Sequence, residues 1–385
     1  MKNIVSFFDH YSKTVFMRLD DLIQATDQCV KCGLCLPVCP TYQLNRQEGA
    51  SPRGRIALAQ GLATHQLKWD KKLAKNIDGC LYCAACETIC PSNVQYYQII
   101  DQIKADYQPF RMKNWLLAIW ITHPLYLKIG LKLGQILSAC HWRYPAYLFQ
   151  LLKQITANQQ PVGAKFEAKI SKKERIALFM GCISQEADKS ALKKAQYILE
   201  LMGYQVDIPI QQRCCGAIHR HAGMSNKADQ FIQKNAQILT NYDFILTIAS
   251  GCQRELKSQL NHLPIFDAVD FISEQKWSFS LKAESKTIIL HQPCSQKTSG
   301  KIWPRLPQIK VIPLTNQQCC GAGGLHLITQ NQQSRQLCKK INQAIEQFQA
   351  DYVVTSNTGC KLNLGIETLL PIKHPIELLY ELIVK

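Results

Sequence analysis

Two short runs carry the densest chemistry in the chain. Cys29–Pro40 reads CVKCGLCLPVCP and Cys80–Pro91 reads CLYCAACETICP, so both follow C-x-x-C-x-x-C-x-x-x-C-P. Three closely spaced thiolates wrap one cube of iron and sulfide, and the fourth cysteine of such a run commonly ligates the cluster of the other run. The proline ends the turn and cannot donate to a competing ladder. The spacing therefore predicts one [4Fe–4S] cluster on Cys29, Cys32, Cys35 and Cys90, and a second on Cys80, Cys83, Cys86 and Cys39. Zinc usually takes two C-x-x-C pairs set well apart. Disulfides belong to oxidising compartments and small secreted scaffolds.

A second constellation lies further along. Cys182, Cys214, Cys215 and Cys252 recur as Cys294, Cys319, Cys320 and Cys360, at spacings of 112, 105 and 108 positions for Cys182, Cys214 and Cys252. Three landmarks returning at nearly one spacing mark a tandem duplication. Four cysteines per repeat match the needs of one further iron–sulfur cluster, and zinc is equally able to use them. A disulfide within a Cys-Cys pair would be strained, so a metal is the better use of it. Gly216 and Gly321 follow the pairs and let the backbone bend tightly. His219 and His221, after the first pair, are candidate ligands or proton carriers, although loop packing is the commoner use of such residues. Of the 18 cysteines, only Cys140 and Cys338 stand outside the two sets. Cys338, on a predicted helix, reads as a small core residue.

The elements that must position these residues divide the chain in four. Residues 1–108 form a helical ferredoxin-like module for two [4Fe–4S] clusters, with Phe16, Leu19, Leu22 and Ile23 at helical spacing ahead of the first run. Ser51 and Pro52 suit the N-cap and first position of a helix. A further helix, Lys71–Asp78, leads into the second run. The separation of Cys39 and Cys80 leaves room for helices rather than a compact β-hairpin type. Arg53 and Arg55 are candidates to tune a cluster.

Residues 109–175 form a connector. Trp115–Leu137 is its most apolar stretch, broken at His123-Pro124, and reads as amphipathic helices that either pack on the chain or present a surface to a membrane or partner. Residues 157–175 read as a polar linker. From 176 strands and helices alternate: strands over Ile176–Met180, Tyr204–Ile208 and Phe244–Ala249, and again over Thr287–Leu290, Val311–Leu314 and Tyr352–Thr355. Helices fall at Lys189–Met202, Lys227–Leu239 and Ser334–Phe348. This gives two α/β Cys-Cys-Gly domains, 176–274 and 275–385. Their cysteines follow strand ends, where such sheets place sites and helix N-termini favour thiolates. The fold class is thus α plus α/β.

The formal charge of +17 is offset in part by bound clusters but favours an acidic partner or an anionic membrane surface. No Lys/Arg block with interleaved aromatics suggests nucleic acid. The apolar run Ile4–Phe8 is too short for a secretory h-region, and no stretch reaches transmembrane length. These features predict a cytoplasmic setting, with peripheral contact on the inner face of the cytoplasmic membrane. There is no G-x-G-x-x-G after a strand and no nucleophile constellation, so no catalytic residue is assigned.

Taken together, the two cysteine runs, the SPRGRI segment, CCGAIHRHAG, ASGC at Cys252, HQPC at Cys294, CCGAGG, SNTGC at Cys360 and HPIELL resemble the glycolate oxidase iron–sulfur subunit over nearly the whole chain. The anaerobic glycerol-3-phosphate dehydrogenase iron–sulfur subunit shares this architecture. The resemblance implies a subunit of an oxidoreductase complex that does not itself bind substrate. FAD-binding partners oxidise glycolate to glyoxylate, and this subunit passes their electrons toward membrane quinone. Other flavoenzymes, such as a D-lactate dehydrogenase, and a thiol/disulfide reductase-like role are the alternatives. Heterodisulfide reductase subunits end each repeat in C-x-x-C. Here Glu255 and Asn363 stand at those positions, which removes a fifth thiolate from each site.

Overall fold

A computed structural model describes residues 19–108, 112–139, 151, 154–155, 174–296, 300–314 and 319–384. Phe16, Cys140 and nearly all of the expected linker at 157–175 lie outside the described residues.

The first module is helical. Helices Leu19–Asp27, Pro52–Ala63, Lys71–Asp78 and Tyr96–Tyr107 carry it, with short helices Pro40–Asn45 and Ala85–Thr88 beside the cysteine runs. Ser51 caps the second of these, accepting from the Gly54 amide, and Asp70 caps the next by accepting from Leu73. Leu22, Ala59, Leu62, Ile77, Ile99, Ile100 and Ile103 are almost fully buried between these helices. A buried aliphatic side chain of this size contributes about 1.5–3 kcal/mol, so the stripe holds the helices together without any strand.

Two sheets follow. β1 (Arg175–Phe179), β2 (Gln205–Asp207), β3 (Phe244–Thr247) and β4 (Ile265–Asp267) lie in the order β2-β1-β3-β4. β5 (Lys286–Leu290), β6 (Ile309–Pro313), β7 (Tyr352–Val354) and β8 (Ile372–Lys373) repeat it as β6-β5-β7-β8. All pairings are parallel. Helices Lys189–Leu201, Ser225–Leu239 and Asn331–Ile345 lie within two or three residues of their sequence-based bounds. β4 and β8 were not expected. They are edge strands of three and two residues, too short for an alternating pattern, and a proline precedes each.

The repeats do not stand apart. Ile176, Leu178 and Ile198 share one apolar core with Ile288, Leu306 and Ile376. The C-terminal helix Pro375–Leu382 lies against Lys189–Leu201, with Tyr197 and Tyr380 edge to face at 5.2 Å. A buried ion pair crosses the same seam: Lys361 Nζ is 2.8 Å from Asp188 Oδ1 and 3.4 Å from Glu377 Oε2. Burial alone would raise both carboxyls, but the Lys361 ammonium brings Asp188 and Glu377 below their ordinary values.

Removing one member of a buried pair leaves uncompensated charge, at about 3–5 kcal/mol. Lys361→Met is expected to lose that much stability, measured by denaturant unfolding. A carboxyl whose folded-state pKa is depressed stabilises fully above its unfolded pKa, and that stability is lost as pH falls through the folded value. The wild-type protein should therefore lose this contribution below about pH 4. In Lys361→Met the two uncompensated carboxyls rise above their ordinary range, so the variant should gain stability at this seam as pH falls and they protonate.

Candidate metal centre

The two cysteine runs share one backbone conformation. Lys31 and Gly33 in the first, and Tyr82 and Ala84 in the second, are left-handed, with φ of 56°, 85°, 52° and 59°. Alternating handedness of this kind turns successive amides toward one centre, a concavity that suits an anionic group.

The runs line two neighbouring cavities that share part of their walls. Cys29, Cys32, Cys35 and Cys90 line the first. Cys80, Cys83, Cys86 and Cys39 line the second. Each run thus sends its fourth cysteine to the cavity of the other. Cys86 and Tyr96 belong to both walls. Burial pushes the Cys83 and Cys86 thiols up, so a thiolate there is unfavourable unless a cation compensates it.

Both arginines named from the sequence reach these cavities. Arg53, partly exposed, pairs with Glu48 at 2.7 Å, donates to the Lys31 carbonyl at 3.1 Å and lines the first. Arg55 is buried and lines the second, donating to Asn76 O at 2.7 Å and to Thr41 Oγ1 at 3.0 Å. Thr41 Oγ1 in turn lies 3.2 Å from Cys39 Sγ. A fixed cation favours the more reduced, more negative state of a neighbouring cluster. At an effective dielectric near 20 and roughly 7 Å, one charge contributes about 2 kcal/mol, on the order of 100 mV for one electron. Arg55→Met should lower the midpoint potential of that cluster by about this amount in a redox titration, and leave the other cluster nearly unchanged.

In the repeats, each cysteine sits at the carboxyl end of the sheet. Cys182 follows β1, Cys252 lies in the first turn of helix Ser250–Gln259 after β3, and Cys360 in the first turn of Thr358–Leu364 after β7. Cys182 and Cys214 sulfurs are 3.6 Å apart, Cys294 and Cys319 3.8 Å, and Cys320 and Cys360 3.1 Å. Gly216 and Gly321 are left-handed at φ +95° and +85°. The tightness they relieve is against the following helix: an added Cβ would lie 3.1 Å from Ala228 and 2.8 Å from Ser334 Cα.

The two repeat sites open into one shared cavity, lined by Cys182, Cys215, Cys252, Cys294, Cys319, Cys320 and Cys360. Ser184 and Thr358 hydroxyls meet at 2.8 Å, and Asn357 Nδ2 donates to Ser250 Oγ at 3.1 Å, knitting the two strand ends together. Leu81 and Tyr82 of the second run form a wall of this cavity as well as of their own. Gly323 lies so near that a Cβ there would sit 2.5 Å from the Leu81 carbonyl oxygen.

The two would-be fifth positions are occupied otherwise. Glu255 accepts from Arg220 Nε at 2.7 Å and from Tyr97 Oη at 2.8 Å. Asn363 donates to Cys320 O at 2.6 Å and to Ser334 Oγ at 3.1 Å. His219 meets the Phe231 ring edge at 5.0 Å, and burial brings it down to about 4. His221 stacks on Tyr82 at 4.1 Å, and burial holds it well below its ordinary value. His221 also lines the shared cavity, and Nδ1 of each ring has no hydrogen-bond partner among the described residues. Cys338 is buried with its thiol 3.3 Å from Asn363 O and pushed up to about 12 by burial. Sequence reasoning did not single out Arg220, Tyr82 or His291. All three lie inside quoted motifs, CCGAIHRHAG, CLYCAACETICP and HQPC, but none of these motifs marks them by spacing.

The connector helices Met112–Thr122 and Pro124–Ala139 meet at His123. Ala118 is buried, whereas Met112, Trp115, Leu116, Trp120, Leu125 and Ile129 are exposed. Among the described residues no helix is long and apolar enough to cross a membrane.

Comparison with known proteins agrees with this layout. A family described as 4Fe-4S dicluster domain matches residues 25–94, and one described as cysteine-rich domain matches 176–257 and 289–365. The chain is 26% identical to the glycolate oxidase iron-sulfur subunit of Escherichia coli (strain K12), over 96% of each chain. It is 26% identical to the probable glycolate oxidase iron-sulfur subunit of Bacillus subtilis (strain 168), over 88% of each. It is also 24% identical to a subunit of the anaerobic glycerol-3-phosphate dehydrogenase of Escherichia coli (strain K12), over 92% of this chain and 97% of that one. The chain is therefore an iron–sulfur protein built from a 4Fe–4S dicluster domain and two cysteine-rich domains, similar over most of its length to glycolate oxidase iron–sulfur subunits.

Proposed function

We propose that the chain is the electron-carrying subunit of a flavin-dependent glycolate dehydrogenase, taking electrons from FAD-binding partners and delivering them toward membrane quinone. The observation that carries this reading is the unbroken row of cysteine-lined cavities. The first shares Cys86 and Tyr96 with the second, and the second shares Leu81 and Tyr82 with the joint cavity of the repeats. Bound [4Fe–4S] clusters supply reversible one-electron steps. Cys29, Cys32, Cys35 and Cys90 hold one, and Cys80, Cys83, Cys86 and Cys39 the other. Cys182, Cys214, Cys215 and Cys252, and Cys294, Cys319, Cys320 and Cys360, hold the metal groups of the repeats.

The protein's own part is to space these groups, exclude water and set their potentials. Arg55 and Tyr96 line the second cavity, and the burial of Tyr82 helps keep its far wall dry. The exposed Trp115, Leu116, Trp120 and Ile129, near Lys113 and Lys128, support peripheral contact with a membrane surface, where aromatic and cationic side chains are favoured together. The sequence likeness to glycolate oxidase subunits supports glycolate as the substrate of the flavin partners.

The test is substrate-driven reduction of the assembled complex, read from the visible absorbance of the clusters under anaerobic conditions. Glycolate should bleach the clusters and a quinone analogue should restore them. Bleaching by glycerol 3-phosphate or D-lactate but not by glycolate would reject the proposed substrate.

A further inference from the structure

The second cysteine-rich domain contains a donor that the first lacks. His291 is the residue immediately after β5, and its amide donates to the Val354 carbonyl of the neighbouring β7 at 2.9 Å. This fixes the side chain at the carboxyl ends of the two central strands. A ring nitrogen of His291 and the sulfurs of Cys320 and Cys360 all lie within 4.8 Å of one another, and all three residues are buried. Nδ1 is held by Thr355 Oγ1 at 3.0 Å, whereas Nε2 has no hydrogen-bond partner among the described residues. An imidazole nitrogen left unpaired in an interior is costly, and the cost is removed when a metal takes the lone pair. Metal-bound histidines commonly have the other ring nitrogen tied by a hydrogen bond that fixes the ring, which is the arrangement Thr355 provides.

At the matching strand end of the first domain, the residue after β1 is Met180. His219, beyond the cysteine pair, packs on Phe231 and has no Thr355-like partner holding its ring among the described residues. We propose that His291 is a metal ligand, so that the second cysteine-rich domain binds its metal group through mixed nitrogen and sulfur donors. The inference rests on the reading of Cys294, Cys319, Cys320 and Cys360 as a metal site. It offsets the loss of a fifth thiolate at Asn363, whose amide is committed to Cys320 O and Ser334.

The experiment uses the full chain, purified anaerobically after growth on histidine labelled with ¹⁵N in the ring. One histidine should be missing from the ordinary ¹⁵N window and return when the metal is removed with chelator. In His291→Ala no histidine should show this metal-dependent shift. In His291→Cys, which replaces the nitrogen by sulfur and guards against a folding defect, metal content should stay at the wild-type level with the shifted signal gone. If every histidine keeps ordinary shifts in the metal-loaded chain, or the shifted one persists in both variants, the inference is overturned. Metal analysis of Cys320→Ser separates the two levels. Content unchanged from wild type means the domain holds no metal, and both readings fall. Reduced content without a shifted histidine overturns only the role of His291.

Discussion

Cys32→Ser is expected to abolish electron delivery to the acceptor while leaving substrate-driven flavin reduction in the assembled complex intact. Cys32 lines the first cavity with Cys29, Cys35 and Cys90, and it is the exposed member of that set. Serine is a poor substitute for a soft thiolate on iron, and an open position at the exposed corner admits water and oxidant. Iron and sulfide should fall by about one cluster, roughly four of each. Stopped-flow traces should then show flavin bleaching at the normal rate, with acceptor reduction lost by a factor of 100 or more, which corresponds to about 3 kcal/mol. Loss of flavin reduction in an intact complex would mean that this chain takes part in substrate chemistry.

The second large effect concerns Arg220, which ties the helical module to the first repeat. Its guanidinium donates to Glu255 at 2.7 Å, to Asp229 at 2.7 Å and to Asp101 at 3.0 Å. Asp101 belongs to the helical module, while Glu255 and Asp229 belong to the repeat. Tyr97 adds a bond to Glu255, Lys104 Nζ one to His221 O at 2.8 Å, and Arg254 one to Tyr82 O. Arg220→Leu leaves the buried Glu255 and Asp229 and the partly buried Asp101 without their shared cation, at about 3–5 kcal/mol. Burial already pushes Asp101 and Glu255 above the ordinary carboxylate range, against the pull of Arg220. Without the arginine they rise further. A carboxyl raised in the folded state stabilises only while protonated, so the variant should lose stability as pH climbs from about 4 toward neutrality, opposite to the acid loss expected at Lys361. Urea titrations at several pH values measure this. A variant as stable as wild type at neutral pH would show that the seam does not depend on the ion cluster.

Much of the site was legible because its chemistry is local in sequence. Eight cysteines in two identical runs dictate their own backbone, and the matching left-handed residues Lys31 with Tyr82 and Gly33 with Ala84 express the same turn twice. The duplication was legible because three landmarks recur. The helix bounds followed from apolar spacing and from caps such as Ser51 and Asp70. The rest depends on residues brought together from distant segments. Nothing near Arg220 in sequence announces Asp101 as a partner, and nothing near Tyr82 announces the His221 ring stacked upon it. β4 and β8 carry too few residues to show a period and are held by their neighbours in the sheet. The merging of the two repeat sites into one cavity depends on contacts such as Ser184 with Thr358 that cross the duplication. His291 carries no signal of its own beside a strand. Only its position against Cys320 and Cys360 gives it another meaning.

The central claim is that two iron–sulfur clusters sit in adjoining cages with crossed cysteine ligands. Electron paramagnetic resonance of the anaerobically reduced chain, alongside iron and sulfide analysis, tests it most directly. Clusters held in cages that share Cys86 and Tyr96 would be near neighbours, and magnetic coupling between them is the expected consequence. The account predicts at least about eight irons and eight sulfides per chain and a spin-coupled signal that collapses to a single isolated cluster in Cys32→Ser. Stoichiometric zinc without sulfide, or two clusters with no magnetic interaction, would contradict it.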